Sequence, residues 1–312
     1  VDLDGDGRPD IVSGSYSREE QDMAGLFQVL YGTSNGFRKA TVLNGSDDKP
    51  LLLPGGKNDL TKKICTRQFL VDWDGDGKLD LLTGNFEGTF FWFQGEGKGK
   101  FAPTAQAIVA TNGKPLKIAG VHSDPFAIDW DGDGDLDLVS GSSDAGVYWA
   151  ENTAGKGKLP TLKPFATLIA AAKADHDSGR VIRDADLKAP SHASRVWVAD
   201  VNGDGKLDLL VGDSVTLREP AKGLSEEEMK AKQKAWQASF DTAMKAYSET
   251  SQAYDKATKA HAANKTPETE TSRTKAREAM QEASREYSNV YAKRSEFIVE
   301  EMTGTVWLYL QK

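Results

Sequence analysis

A nine-residue string rich in aspartate and glycine occurs four times in this chain: DLDGDGRPD at 2–10, DWDGDGKLD at 72–80, DWDGDGDLD at 129–137 and DVNGDGKLD at 200–208. Repetition of this kind restricts the fold to architectures that use one supersecondary unit in series. Each copy leads into a short apolar run ended by glycine (IVSG, LLTG, LVSG, LLVG), the pattern of a strand buried on both faces. A second strand follows at GLFQVLYG (25–32), GTFFWFQG (88–95), GVYWAEN (146–152) and GTVWLYLQ (304–311). An apolar stretch precedes the later three copies (RQFLVD, PFAID, RVWVAD), and an outer strand such as GFRKATVL (36–43) completes the unit. The unit is a four-stranded antiparallel sheet, so the expected fold is an all-β propeller of about four blades.

The interval from the last motif aspartate to the next glycine-led strand is 8 residues in the second copy and 96 in the fourth. The excess reads as helix. Residues 225–264 lack Gly and Pro, and Ser225 with Glu228 has the form of a capping box. Met229, Trp236, Ala243, Thr250 and Ala257 recur every seventh residue, with Phe240, Tyr247, Tyr254 and His261 between them, an a/d seam. The pattern breaks at Asn264–Pro267 and resumes through Ala276, Met280, Ala283, Tyr287, Val290 and Phe297. The expectation is an antiparallel α-helical coiled-coil hairpin at 222–301, inserted in the last blade between propeller segments 1–221 and 302–312. The aromatic stripe is expected to pack between the helices, with His261 packed or capping near the tip.

The acidic strings carry the chemistry. Carboxylates at positions 1, 3, 5 and 9 of a tight turn, with the carbonyl at position 7, offer the all-oxygen set that Ca2+ prefers, and the glycine at position 6 permits the bend. Nitrogen and sulfur donors suited to zinc are absent. An EF-hand would need an acid at position 12 on an exiting helix. Position 12 is Ser13, Thr83, Ser140 or Val211, and the exit is a strand.

The pattern DxDGDGxxDLLxG followed by GxVxxY/W closely resembles the FG-GAP or VCBS repeats of integrin α-subunit propellers and many secreted bacterial proteins. The resemblance spans residues 1 to about 216 and 302–312. It implies one Ca2+ per motif, about four ions, held by Asp2, Asp4, Asp6 and Asp10; by Asp72, Asp74, Asp76 and Asp80; by Asp129, Asp131, Asp133 and Asp137; and by Asp200, Asn202, Asp204 and Asp208. Carbonyls of Arg8, Lys78, Asp135 and Lys206 would complete the shells. Asn202 replaces a carboxylate with a neutral oxygen, so the fourth site should be the weakest.

The ends of the repeat array are incomplete. The first copy lacks a leading strand and the fourth stops after GTVWLYLQK, so either a terminal strand closes the ring or further blades lie upstream of Val1, where the chain reads as processed or trimmed. The net charge of −8 argues against affinity for nucleic acid, and no apolar run approaches membrane-spanning length. The segment 222–301 holds 14 Lys and Arg against 14 Asp and Glu, so the acidic excess belongs to the propeller, and four Ca2+ ions would neutralise it. The single cysteine, Cys65, excludes an intrachain disulfide.

Cys65, His122 and His192 lie seven or eight residues before a motif and could face one another, although loop positions with unrelated orientations are the simpler reading; His176 and His261 complete the histidines. Trp73 and Trp130 would suit sugar stacking but better suit packing between blades, while Phe90–Phe93, Val306, Trp307 and Tyr309 read as core. The function expected is a non-catalytic calcium-binding adhesion module, secreted, periplasmic or on the cell surface. Its propeller face would take a protein or glycan ligand, and its arm would contact a partner, self-associate or act as a spacer. The alternatives are a polysaccharide lyase or hydrolase, which would require Arg67, Arg180, Arg183 and Arg195 to converge on one pocket, and a surface-layer or filament component.

Overall fold

The computed structural model describes residues 1–16, 25–55, 60–172 and 180–311. It divides into two compact units: Val1–Lys173, Lys188–Val215 and Gly304–Lys312 form the first, Ala174–Leu187 and Thr216–Thr303 the second. The first unit is mostly β, with one antiparallel sheet per motif. Its first sheet comprises Ile11–Ser13, Gln28–Leu30 and Thr41–Val42. The second comprises Arg67–Val71, Asp80–Gly84, Phe90–Phe93 and Gln106–Ala107. The third comprises Asp124–Ile128, Asp137–Gly141, Val147–Ala150 and Ala166–Ile169. The fourth comprises Arg195–Ala199, Asp208–Pro220 and Ile298–Tyr309. Of the stretch 36–43, only Thr41–Val42 joins a sheet, because Gly36–Phe37 folds back on Gly32–Thr33 as a separate hairpin.

Alternation along the strand after each motif explains the core. The first residue after the motif packs towards the preceding sheet and the second towards the following one. Leu81 thus joins Val12, Phe27 and Val29 of the first sheet; Leu138 joins Leu82 and Trp92 of the second; Leu209 joins Phe126, Val139 and Val147 of the third. Motif position 2 continues these layers: Leu3 and Trp73 are buried and Trp130 is partly buried, so both tryptophans are packing residues.

Between sheets the backbones meet closely at Gly14, Gly84 and Gly141. A Cβ on these glycines would lie 2.6, 2.6 and 2.8 Å from the carbonyl carbons of Thr66, Ser123 and Ser194 in the next sheet's approach segment. A reciprocal pair of hydrogen bonds locks each approach. The N–H of Ser142 donates to Ser194 Oγ at 2.8 Å and the N–H of Ser194 donates to the Ser142 carbonyl at 2.8 Å. Ser15 with Thr66 and Asn85 with Ser123 repeat this exchange.

Among the described residues no strand of the first sheet pairs with the fourth, and no core cluster joins those two sheets. Val306, expected in the core, is 67% exposed, because the face it shares has no sheet beyond it, whereas Trp307 and Tyr309 turn inward onto Val198, Leu209 and Val211.

The second unit holds two long helices, Glu226–Ala263 and Pro267–Ala292. Ser225 Oγ accepts the Glu228 N–H at 3.2 Å while Glu228 Oε2 accepts the Ser225 N–H at 2.8 Å, the reciprocal cap read from sequence. Thr266 starts the second helix with Pro267 behind it, a residue whose missing N–H costs nothing in the first turn. The aromatic stripe fills the seam: Phe240 meets Tyr287 at 5.6 Å, Tyr247 stacks on Tyr287 at 5.7 Å, and Trp236 Nε1 donates to the Val290 carbonyl at 2.6 Å. His261 bonds Thr269 Oγ1 at 3.0 Å and Glu270 at 3.2 Å, a packed histidine near the helix turn. Gln233 occupies the seam position four residues after Met229 that the apolar pattern leaves out.

Candidate metal centre

Each acidic loop joins the leading strand of its sheet to the strand after the motif, and its own aspartates shape it. The carboxylate at position 1 accepts the N–H groups of positions 4 and 6: Asp2 from Gly5 and Gly7, Asp72 from Gly75 and Gly77, Asp129 from Gly132 and Gly134, Asp200 from Gly203 and Gly205, all between 2.7 and 3.0 Å. Position 3 accepts from position 5, as Asp74 does from Asp76 at 3.1 Å and Asn202 from Asp204 at 2.9 Å. Position 5 accepts from position 7, as Asp76 does from Lys78 at 2.9 Å. The second and fourth of these loops, like the others, have glycine at position 6 with positive φ, 83° at Gly77 and 85° at Gly205, where a side chain would be strained.

Position 9 behaves differently. Asp10, Asp80, Asp137 and Asp208 are buried, and each spans two elements. One oxygen accepts the position 2 N–H (Leu3, Trp73, Trp130, Val201) and the other accepts an N–H at the end of the next strand: Gly32 at 2.7 Å, Gly95 at 2.5 Å, Asn152 at 2.7 Å and Gln311 at 3.1 Å. These aspartates bracket the loop to its sheet. Burial raises the Asp80 carboxyl above its ordinary value against the hydrogen bonds from Gly95 and Trp73, and it likewise raises Asp137 against those from Asn152 and Trp130. At Asp10 burial also pushes upward, but hydrogen bonds from Gly32 and Leu3 outweigh it and the carboxyl falls below its ordinary value.

Carboxylate oxygens converge within 4.8 Å of one another at Asp2, Asp4 and Asp6; at Asp72, Asp74 and Asp80; and at Asp129, Asp131 and Asp133. The donor set is all oxygen, which suits a hard cation such as Ca2+. Arg8 pairs with Asp6 at 2.8 Å and Lys78 with Asp76 at 2.6 Å, so the residues chosen for their carbonyls also place a cationic side chain on position 5. Asp135, the residue at position 7 of the third loop, is buried; its Oδ2 accepts the Gly155 N–H at 2.8 Å, and no hydrogen-bond partner reaches its Oδ1. Burial raises this carboxyl, opposed by Gly155 and reinforced by the charges of Asp133 and Asp131.

Among the described residues the histidine and cysteine positions form no comparable group. The left-handed residue seven places before the motif is Cys65, His122 or Ala193, with φ of 57°, 63° and 54°, so the true counterpart in the fourth copy is Ala193 and His192 is displaced by one. His122 packs on Phe86 at 4.5 Å, and burial together with Arg67 and His192 lowers its pKa. His176 lies outside the described residues. The four arginines divide between the units: Arg67 and Arg195 belong to the first, near Asp124, while Arg183 pairs with Glu219 at 3.3 Å and Glu226 at 2.9 Å in the second, which also holds Arg180.

The clasp residues Thr66, Ser123 and Ser194 were not singled out by the sequence reading, although each lies six places before a motif. Comparison with curated proteins and with solved structures gives no match. Among protein families, the FG-GAP-like repeat matches residues 72–122 and 129–211, which contain the second, third and fourth motifs. Over these two stretches the chain is therefore similar to the FG-GAP-like repeat family, and its two long helices lie outside them.

Proposed function

We propose that this protein is a calcium-binding propeller-type module that works outside the cytoplasm as a non-catalytic binding or adhesion unit. The observation that carries the reading is the convergence of three carboxylates in each of three loops, at oxygen separations one cation could bridge. Asp135 adds support, since a cation in the third loop would favour the buried carboxylate whose Oδ1 lacks a hydrogen-bond partner. The position 9 brackets hold each loop against its sheet, leaving positions 1, 3 and 5 to supply the charge in the first and third loops, while in the second Asp80 also joins Asp72 and Asp74. Blades stacked face to face would present a protein or glycan ligand on one face of the array, and the arm would serve as a partner contact or spacer. Among the described residues no helix is long and apolar enough to cross a membrane.

Calcium titration by calorimetry, paired with thermal melts in CaCl2 and in EGTA, tests the metal reading. Extracellular modules bind Ca2+ with dissociation constants of about 10^-4 to 10^-3 M, so each site at 1 mM calcium would stabilise the fold by roughly 0.4–1.4 kcal/mol. Identical melts in the two buffers, with no binding heat, would refute it.

A further inference from the structure

The outer face of the fourth sheet is constructed as an inter-sheet interface. Trp197 pairs with Leu210 on one face, opposite the inward Val198, Leu209 and Val211. Alternation puts Val306 and Leu308 on that same outer face, since Trp307 and Tyr309 point inward. Trp197 is 61% exposed although one edge of its ring meets Phe126 at 5.2 Å, Val306 is 67% and Leu308 49% exposed, and Val201, at motif position 2, is 47% exposed where Leu3 and Trp73 are buried. A second, independent sign comes from the backbone. Gly212 stands where Gly14, Gly84 and Gly141 stand, yet a Cβ there would meet nothing nearer than Arg195 Cβ at 4.0 Å. The fourth sheet thus has the clearance for an approaching backbone that the first three use.

The complementary surface is present at the other end of the same array. Ile11 of the first sheet is 46% exposed, and Leu30 pairs with it on that face. Their counterparts in the second sheet, Leu81 and Phe93, are fully buried against the sheet before them. In each of the three internal junctions, a face of the Trp197 kind packs on a face of the Ile11 kind.

We propose that the outer face of the fourth sheet docks the first sheet of a second copy of this chain, a head-to-tail junction that continues the internal packing. Such a contact is heterologous: it uses two different surfaces, which form a ring if the rotation closes and a longer string if it does not.

Sedimentation velocity on the intact chain, up to about 100 µM with calcium present, is the test. The expected result is a species of at least twice 33.9 kDa. Ile11→Glu, at an exposed position, should keep the wild-type circular dichroism and melting point while weakening association at least about tenfold; Trp197→Glu should weaken association as much while lowering the melting point slightly through its lost contact with Phe126. Leu308→Glu serves as a second lesion on the same face if Trp197→Glu fails to fold. Mixing the Trp197→Glu and Ile11→Glu chains leaves one intact face on each and should restore a two-chain species. A wild-type chain that stays at 33.9 kDa, folded variants that associate as wild type does, or a mixture that remains monomeric would each overturn the proposal.

Discussion

Adding one methyl group at Gly141 and the same group at Gly212 should have opposite effects on stability. At Gly141 the new Cβ would sit 2.8 Å from the Ser194 carbonyl carbon and 2.9 Å from Ser194 Oγ. The Ser194 carbonyl oxygen lies nearer still, so relaxed contacts require the third and fourth sheets to separate locally by roughly 1 Å. That movement stretches both hydrogen bonds of the Ser142–Ser194 clasp, each 2.8 Å long. Two buried hydrogen bonds at about 1 kcal/mol each, plus about 1–3 kcal/mol of overpacking strain, give a cost of about 3–5 kcal/mol. The lower chain entropy of alanine in the unfolded state returns about 0.5–1 kcal/mol, leaving Gly141→Ala destabilised by about 2–4 kcal/mol. At Gly212 only the entropic effect operates, since the nearest atom is 4.0 Å away, and Gly212→Ala should be neutral or more stable by about 0.5 kcal/mol. Urea denaturation, run at dilutions where the chain is monomeric, measures both. Equal effects within about 0.5 kcal/mol would refute the argument that close backbone approach makes Gly141 obligatory.

Three further outcomes can be checked on the same material. Asp137→Ala should cost about 3–5 kcal/mol in EGTA as well as in calcium, because it strands the N–H groups of Trp130 and Asn152; Asp131→Asn should leave the EGTA melt near wild type and reduce calcium binding. Burial, opposed by Arg67, lifts the Asp124 carboxyl from 3.8 to about 6, so the folded chain holds its proton more tightly than the unfolded chain does. The stability this residue contributes is full below pH ~4 and is lost as pH rises to about 6; Asp124→Asn should flatten that slope in urea midpoints and gain at most about 3 kcal/mol at pH 7, less the lost pairing with Arg195. Burial pushes the Cys65 thiol up to about 11, so a disulfide reagent at pH 8 should label it only in denaturant, and rapid labelling of the native chain would contradict the packing.

What could be read from the sequence was what depends on neighbours in the chain. The loop glycines, the strand after each motif, the Ser225 cap and the heptad seam are all set by residues within a few positions of one another, and they appear in the structure where the pattern puts them. The acids at positions 1, 3 and 5 were legible for the same reason. The bracketing role of Asp80 was not, because its second donor, Gly95, is 15 residues away. Val306 was misplaced because its apolar run resembles Phe90–Phe93, and burial there depends on whether another sheet follows. The register of His192 failed by one residue for want of backbone angles, which show that Ala193 shares the conformation of Cys65 and His122.

The bracket at Asp208 also bears on the order in which the chain can assemble. Asp80 and Asp137 reach donors 15 residues ahead, whereas Asp208 must wait for Gln311, 103 residues ahead. Closing the longer loop from an unstructured chain costs roughly 2 kcal/mol more. The helical hairpin reduces that difference, because its helices form from local contacts and its base is tied where the Ala221 N–H donates to the Phe297 carbonyl at 3.0 Å. Once it has zipped, the two distant strand segments meet almost as near neighbours would, and the long insertion becomes a short connection in the kinetics of folding.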